Sequence, residues 1–265
     1  MTSQRLPPDI AEAFSRRGET TGAFGRHCLH VHETSSTNDL VACEGERGQP
    51  EGLVVVADAQ SAGRGRVGRS WASPPGAGLY ASLLLRPTRR DLGLLTITAG
   101  VALAEGVQAS TGLEVTLKWP NDLQVGPRKL GGILAEATSL NGDVRFVVLG
   151  FGINVLTSSY PPDVALRATS IEAETGRSFD RGSVLVACLE AFEARYGAFE
   201  ARDTSAIVAA WRARAHTHLA RPVRWVSNGQ TQHGTAVDID DDGALLVDAD
   251  AGRVRISSGE VQWLT

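Results

Sequence analysis

Lysine is nearly absent from this chain of 265 residues, in which only Lys118 and Lys129 stand among 26 basic residues. Such heavy use of arginine is typical of a GC-rich coding bias, and against that background a lysine indicates a position where arginine cannot substitute. Lysine carries a compact point charge on a flexible stem, whereas arginine is a wide planar fork. Chance placement on a solvated loop would explain a lone lysine better. Two lysines so close together, with Trp119, Asn121 and Asp122 between them, favour a functional site.

Three further absences limit the class of protein. The cysteines are Cys28, Cys43 and Cys188, an odd number without CxxC spacing, which argues against a disulfide framework or a zinc knuckle. No apolar run reaches about 18 residues, so no transmembrane helix is expected, and the polar N-terminus lacks the apolar core of a signal peptide. The net charge of −4 does not favour nucleic acid. We therefore predict a cytoplasmic protein with reduced thiols and no membrane or DNA partner.

Length and pattern predict one large domain followed by a small one. Residues 1–20 are expected to form a flexible segment, and residues 21–217 a main domain that mixes strands with helices. Residues 218–265 contain five short alternating stretches separated by turn signals, which predict a small β-barrel or half-open sheet. The chain as a whole is predicted to have an α+β fold.

Hydrophobic periodicity predicts the individual elements. A short helix is expected to begin near Pro8, and longer helices are expected over residues 92–109, 183–200 and 203–214. Strands are predicted at residues 28–32, 53–57, 79–85, 115–117, 133–136 and 146–149, with the last two paired across a turn at 141–143.

A glycine-rich stretch at residues 63–69 formally matches GxGxxG. A dinucleotide fingerprint needs a helix to begin inside it and an acidic residue about 20 positions later, but two prolines follow and residues 83–90 contain no acid. A phosphate-binding P-loop is also excluded, because no Gly-Lys-Ser/Thr is present. Glycines let a backbone approach a ligand, and Arg64, Arg66 and Arg69 suit anionic oxygens. A small-anion pocket is favoured over a mobile surface loop or a patch for nucleic-acid phosphates.

Five motifs, in order along the chain, resemble those of the biotin protein ligases. They are Ser36-Thr37-Asn38, the loop 63–71, the run 118–122, residues 129–136 and residues 150–155. Each is moderately specific alone, but the five in order are very specific, and the resemblance covers about residues 30–265. It implies a class II synthetase-like catalytic domain, a mixed β-sheet with flanking helices that binds biotin and ATP, followed by an SH3-like β-barrel.

The resemblance also implies a two-step reaction. Biotin and MgATP give biotinyl-5′-AMP and pyrophosphate, and the activated acyl group then passes to one lysine of a biotin carboxyl carrier protein. Lipoate-protein ligase, which has a related fold and similar chemistry, is the nearest alternative. The glycine loop and the small C-terminal domain favour biotin.

Site residues follow from the positions that match the family's motifs. Residues expected to act in catalysis are Lys129, Arg64, Arg66 and Asp122. Residues expected to bind biotin are Ser36, Thr37, Asn38, Gln60, Gly63, Arg64, Tyr80, Ser82, Lys129 and Gly132. Residues expected to bind ATP or the adenylate are Arg66, Arg69, Trp71, Lys118, Asn121 and Asn154.

Several of these residues have specific expected roles. Lys129 would bridge the biotin carboxylate and the phosphate, while Arg64 and Arg66 would close over both anions. Trp71 would pack near adenine. Asp122 is the expected carboxylate near Mg²⁺, or else an acceptor for the incoming lysine.

Partners also follow from the resemblance. Bifunctional members of the family carry an N-terminal DNA-binding domain, and too few residues precede the first strand for one, so no repressor activity is expected. The expected partner is the carrier domain of a biotin-dependent carboxylase, and the expected assembly is a monomer or a weak homodimer.

Purely structural interpretations remain open for several patterns. Ser36-Thr37-Asn38 also suits a helix N-cap, and Trp119-Pro120 suits plain packing. His27, His30 and His32 have HxxHxH spacing, but only the last two share a face of a strand and no neighbouring carboxylate pair completes a site. Surface or core histidines are therefore favoured over a metal site.

Overall fold

Six helices and twelve strands make up the computed structural model, which describes residues 5–17, 22–89, 91–227 and 229–264. The helices are α1 (Pro8–Arg17), α2 (Thr37–Glu46), α3 (Leu92–Thr111), α4 (Ile171–Thr175), α5 (Arg181–Glu200) and α6 (Thr204–Ala215). The strands of the main domain are β1 (His27–Thr34), β2 (Leu53–Gln60), β3 (Gly78–Leu85), β4 (Thr116–Lys118), β5 (Asp122–Val125), β6 (Arg128–Leu140) and β7 (Asp143–Asn154). Those near the C-terminus are β8 (Arg221–Ser227), β9 (Gln230–Ile239), β10 (Leu245–Ala249), β11 (Gly252–Ile256) and β12 (Val261–Trp263).

The first seven strands form one mixed sheet in the order β1-β2-β3-β7-β6-β5-β4. β1 and β2 are parallel because α2 carries the chain back between them, whereas the other neighbours are antiparallel. β6 and β7 are joined at Asn141 and Gly142, whose φ angles of 53° and 86° are those of a type I′ turn. The predicted mixed sheet is confirmed, and so is the turn between its two longest strands.

Helices cover both faces of this sheet. α3 and α5 lie over one face and meet so closely that a Cβ on Gly106 would stand 2.5 Å from the Cα of Cys188. α2 covers the other face, above a small apolar cluster that includes Val55, Phe146 and Val148. By length and composition α3 is apolar enough to cross a membrane, but 67% of its apolar window is buried. α3 is therefore the buried core helix that the sequence predicts.

Near the N-terminus, the predicted short helix forms as α1. Its Ile10 is fully buried in the main core, and its Asp9 carboxylate accepts a hydrogen bond from Arg181 at the start of α5. Of the segment expected to be flexible, residues 1–4 and 18–20 lie outside the described residues.

The small C-terminal domain is a five-stranded antiparallel sheet in the order β11-β10-β9-β8-β12. One of its predicted turns includes Asn228, which lies outside the described residues. The Trp119 indole attaches the sheet to the main domain, since its Nε1 donates to Gly243 O at 2.9 Å. Within the small domain, Trp263 Nε1 donates to His218 O at 2.9 Å. The interpretation of Trp119-Pro120 as packing is thus correct for the indole, which docks this domain.

Candidate active site

A cleft opens where β6 and β7 run side by side, and glycines form its floor. A Cβ on Gly150 would lie 2.0 Å from Asn38 Oδ1, and a Cβ on Gly152 would lie 2.5 Å from Trp71 Nε1. Both separations are shorter than any real contact, so a side chain at either position would displace Asn38 or Trp71. The missing side chains allow Asn38 and Trp71 to rest directly on the sheet.

Most of the residues expected at the site line this cleft. Those that line it are Ser36, Thr37, Asn38, Gln60, Arg64, Arg66, Arg69, Trp71, Lys118, Asn121, Asp122, Lys129 and Gly132. The fold thus brings side chains from five separate segments of the sequence together around one opening.

One end of the cleft is a buried polar network at the start of α2. Ser82 Oγ lies 2.7 Å from Thr37 Oγ1 and 2.6 Å from Asn38 Oδ1, while the backbone N–H of Thr37 donates to Gln60 Oε1 at 2.9 Å. Ser36 is the N-cap residue of α2, but its side chain makes no capping hydrogen bond. The motif therefore does more than cap the helix, because the Thr37 and Asn38 side chains reach across to β2 and β3.

Two acidic residues absent from the sequence prediction hold this end in place. Asn38 Nδ2 donates to Glu136 Oε2 at 2.5 Å. Arg64 forms ion pairs with both Asp39, at 2.8 Å, and Glu136, at 3.1 Å. Arg64 was expected to close over substrate anions, and in this structure its guanidinium is engaged by carboxylates of the chain itself.

The glycine-rich loop between β2 and β3 is an ordered small hairpin. Gly65 N donates to Arg69 O at 2.7 Å, and Trp71 N donates to Gly63 O at 2.8 Å. A Cβ on Gly63 would lie 2.5 Å from Trp71 O, so this glycine permits the close approach of the two arms. Gly63 shapes the hairpin and is not among the described residues that line the cleft.

Arginines of this hairpin reach across the cleft to the C-terminal domain. Arg66 Nη2 donates to Gly259 O at 3.4 Å, and Arg69 forms an ion pair with Glu260. Burial lowers the pKa of Arg66, and the nearby Arg69 adds to that effect, which together outweigh the opposing influence of Asp122 and Glu260. The hairpin and the turn at Gly259–Glu260 therefore close one side of the opening.

Lys129 lies on the cleft wall at the start of β6. Its backbone is fixed on both sides, because its N–H donates to Arg167 O at 2.8 Å and its carbonyl accepts from Thr169 N at 2.9 Å. Its Nζ forms an ion pair with Asp122 and lies 5.5 Å from the centroid of the Trp71 ring. A lysine held in this way projects a cation over the glycine floor.

Lys118 lies deeper, beside the C-terminal domain. Its Nζ is 5.2 Å from the centroid of the Trp263 ring. Burial lowers the pKa of Lys118, and the neighbouring charges of Lys129 and Arg69 lower it further against the opposing effect of Asp122. His218 hydrogen-bonds through Nε2 to Gln124 Oε1 at 2.8 Å, and burial together with Lys118 lowers its pKa to about 4.

Tyr80, Ser82 and Asn154 were expected at the cleft but lie behind its wall. Tyr80 and Ser82 are fully buried, and the Tyr80 hydroxyl donates to Pro74 O at 3.2 Å. Asn154 Nδ2 donates to Thr169 O at 2.9 Å, next to the backbone that fixes Lys129. In the described structure these side chains support residues of the cleft rather than line it.

Comparison with known proteins gives a consistent result over both domains. The model of the Biotin/lipoate A/B protein ligase family matches residues 31–154, and that of the Biotin protein ligase C terminal domain matches residues 218–263. The biotin--[acetyl-CoA-carboxylase] ligase of Mycobacterium tuberculosis is 36% identical over 97% of this chain and 97% of its own length. The bifunctional ligase/repressor BirA of Bacillus spizizenii is 35% identical over 97% of this chain and 80% of its own length.

A solved structure shares the arrangement of both domains. The biotin protein ligase from Aquifex aeolicus in complex with biotin and ATP superposes with a TM-score of 0.80 at 28% identity, covering 90% of this chain and 99% of that one. The motifs, the two family matches and the full-length relatives agree, and the chain belongs to the biotin protein ligase family.

Proposed function

We propose that this protein activates biotin with MgATP to biotinyl-5′-AMP and then transfers biotin to a lysine of a biotin carboxyl carrier protein. The observation that carries the proposal is the composition of the cleft. It combines both lysines of the chain and three arginines with a network of neutral polar groups. Biotin would supply a neutral ring and one anion, its carboxylate, to such a site, and the phosphates of ATP would supply the other anion.

In the first step a biotin carboxylate oxygen attacks the α-phosphorus of ATP, and pyrophosphate leaves. Both reactants are anionic, so their repulsion has to be offset by fixed positive charge. Lys129 Nζ, fixed by the backbone contacts of β6 and close to Asp122, would lie between the carboxylate and the phosphate. Arg66 and Arg69 would neutralise phosphate oxygens from the glycine hairpin.

Biotin recognition would use the opposite end of the cleft. The ureido ring offers two N–H donors and one carbonyl acceptor in an otherwise apolar body, and such ligands need a few well-placed polar groups. Thr37, Asn38 and Gln60 provide hydroxyl and amide groups on a rigid network at the start of α2. Gly150 and Gly152 would let Asn38 and Trp71 lie directly on the sheet beside the bound ring system.

Magnesium would enter with ATP. Mg²⁺ is usually bound by one or two carboxylates together with substrate phosphates and water, and the cleft provides Asp122 and Glu260. These two carboxylates fit that donor set, and Asp122 is our proposed protein ligand. Bound Mg²⁺ would neutralise charge that develops on the departing pyrophosphate.

In the second step the ε-amine of the acceptor lysine attacks the acyl carbon of the mixed anhydride, and AMP leaves. The amine loses a proton as its bond to carbon forms. The alternative role of Asp122, whose side chain is 24% exposed, is to accept that proton. Lys118 would orient the phosphate of the departing AMP.

The partner, assembly and location of the protein form one proposal. We propose a carboxylase carrier domain as the acceptor, a cytoplasmic location, and a monomer or weak homodimer that does not bind DNA. The net charge of −4 supports the absence of DNA binding. Sedimentation at micromolar concentration and a gel shift with DNA test the assembly and the DNA claim.

The test of function is transfer to an acceptor. The full chain is incubated with biotin, MgATP and a biotin carboxyl carrier domain, and the mass and modified residue of the acceptor are measured. One added biotin on one lysine supports the proposal. Transfer of lipoate instead would place the protein with the related lipoate ligases, and no transfer of either would refute it.

A further inference from the structure

Two histidines and an aspartate meet on the β1–β2 edge of the large sheet. His30 and His32 share one face of β1 because side chains alternate along a strand. β2 pairs with β1 so that His30 stands opposite Val56, which places Asp58 level with His32. Asp58 comes from a different strand, so the spacing of the histidines along the sequence does not reveal it as their neighbour.

The three side chains present their ligand atoms to one another. Asp58 Oδ2 lies 3.1 Å from His30 Nε2 and 3.0 Å from His32 Nδ1, and the three candidate ligand atoms all lie within 4.8 Å of one another. In a tetrahedral zinc site the ligand atoms stand about 3.3 Å apart, given bonds of about 2.0–2.1 Å to the metal. The two distances to Asp58 are close to that separation. The His32 side chain is 72% exposed, so its ring can rotate to bring Nδ1 closer to His30 Nε2.

His30 supplies an independent indication of a ligand. The residue is fully buried, and neither of its ring nitrogens has a hydrogen-bond partner among the described residues. Its Nε2 approaches Asp58 without the angles of a hydrogen bond. Buried nitrogens are nearly always satisfied, and an ion that completes the site is one standard reason for an exception.

Charge around the cluster favours a cation. Arg181 Nη1 donates to Asp58 Oδ1 at 2.9 Å, and its Nε donates to Asp9 at 3.2 Å. One arginine therefore balances two carboxylates, which leaves a negative charge when the histidines are neutral. Arg181 also fixes the carboxylate so that Oδ2 alone faces the imidazoles.

We propose that His30 Nε2, His32 Nδ1 and Asp58 Oδ2 bind one divalent cation of the zinc class, with a water molecule at the fourth position. Two imidazoles and a carboxylate are ligands that zinc prefers, and three protein ligands leave an open coordination position. Arg181 orients the carboxylate from outside, as partners of metal ligands commonly do. The exposed side of His32 gives the ion access from solvent.

None of the three proposed ligands is among the described residues that line the cleft. Alternation along β2 puts Asp58 on the face of Val54 and Val56, which belong to the core that includes α3 and α5, whereas Val55 belongs to the cluster beneath α2. The cleft residues Asn38 and Gly150 lie on the α2 side. Metal binding here is therefore expected to be separable from the use of MgATP.

The test uses the full chain without a histidine tag, stripped with a chelator and titrated with Co²⁺ as a spectroscopic substitute for Zn²⁺. We expect one equivalent to bind with the intense visible absorption of four-coordinate Co²⁺, and Zn²⁺ to displace it. His32→Ala and Asp58→Asn are expected to lose this signal. His27→Ala is the matched control, because His27 is exposed on the same strand outside the cluster, and it is expected to keep the signal.

Three outcomes would overturn the proposal: no saturable binding, the weak absorption of six-coordinate Co²⁺, or an unchanged signal in His32→Ala. Substitution of an exposed residue is not expected to unfold the chain, and circular dichroism checks that it does not. Biotin-dependent pyrophosphate release in the presence of Mg²⁺ is measured on the same samples. It is expected to persist in His32→Ala, so failure of the metal site and failure of the proposed ligase activity are distinguishable.

Discussion

The two ends of the cleft differ in how their polar groups are held. At the Asn38 end, hydroxyls and amides bond to one another and to Glu136 in a buried network. At the Lys129 end, cations collect around the few carboxylates of Asp122 and Glu260. Under the proposed function, the first end would bind a neutral ring, and the second would offer its surplus of positive charge to anions that arrive with substrate.

Removing Lys129, the central cation, is expected to impair the charged end of the cleft more than any other change. We expect Lys129→Ala to slow biotinyl-5′-AMP formation by a factor on the order of 10²–10³, the usual cost of losing one transition-state charge contact. Lys129→Arg keeps the charge but not the compact shape, and we expect it to rescue little. Single-turnover formation of the adenylate from labelled ATP measures both. Activity of Lys129→Ala within tenfold of wild type would remove Lys129 from the reacting centre.

A side chain added to the glycine floor is expected to impair the neutral end of the cleft and to leave the charged end nearly unchanged. In Gly150→Ala the new methyl would overlap Asn38 Oδ1, and overpacking of this kind costs about 1–3 kcal/mol. We expect the KM for biotin to rise about tenfold or more while the KM for ATP changes little. Gly197→Ala is the control, because a Cβ at that position of α5 meets nothing within 4 Å. Equal effects on both KM values would contradict a division of the cleft into two ends.

Opening the hairpin should affect retention of the intermediate. Arg66 connects the glycine hairpin to Gly259 across the cleft, and a closed loop keeps a reactive mixed anhydride from water. We expect Arg66→Gly to release biotinyl-5′-AMP several-fold faster and to biotinylate lysines of bystander proteins. Mass spectrometry of an added lysine-rich protein gives the measurement. A variant with unchanged specificity for the acceptor would argue against the hairpin as a lid.

The junction behind the charged end should be sensitive to acid. The pKa of His218 is lowered from 6.5 to about 4 by burial and Lys118, so the folded state binds its proton less readily than the unfolded state. Above pH 6.5 both states are neutral and the group has no effect. As the pH falls from 6.5 towards 4, stability declines. We expect the urea midpoint of wild type to fall over this pH window more than that of His218→Gln. Urea midpoints that fall equally with pH in both proteins would contradict this.

The smallest effect is expected where the hairpin meets the C-terminal domain. The side chains of Arg69 and Glu260 are 68% and 53% exposed, and exposed ion pairs contribute at most about 1 kcal/mol. We expect Glu260→Gln to leave the unfolding free energy nearly unchanged while it modestly accelerates loss of the adenylate. Destabilisation of several kcal/mol would mean that this contact holds the two domains together.

Elements with a strong period could be predicted from the sequence, but two short elements, β5 and α4, were not predicted. The long apolar helix α3 and the β6–β7 hairpin follow from composition and from the Asn141-Gly142 turn. β5 is four residues long and α4 five, and segments this short carry too little periodicity to be recognised. Their formation depends on the neighbours that pair and pack with them.

The sequence also predicts only part of the candidate site. Most of the residues that line the cleft lie within motifs, so the sequence located them. Their partners Asp39, Glu136 and Glu260 did not stand out, because the ion pairs form only when distant segments meet. Asp58 was missed beside His30 for the same reason. Pairing across strands is a property of register and topology, which local pattern does not reveal.

The most direct test of the proposed activity is pyrophosphate release by the purified chain with MgATP, supplied with biotin, with lipoate or with neither. We expect release to depend on biotin, and we expect lipoate neither to support nor to inhibit it. Release with lipoate but not with biotin would mean that the neutral end of the cleft binds the ring of lipoate. No release with either would contradict the claim that the cleft joins a carboxylate to an α-phosphate.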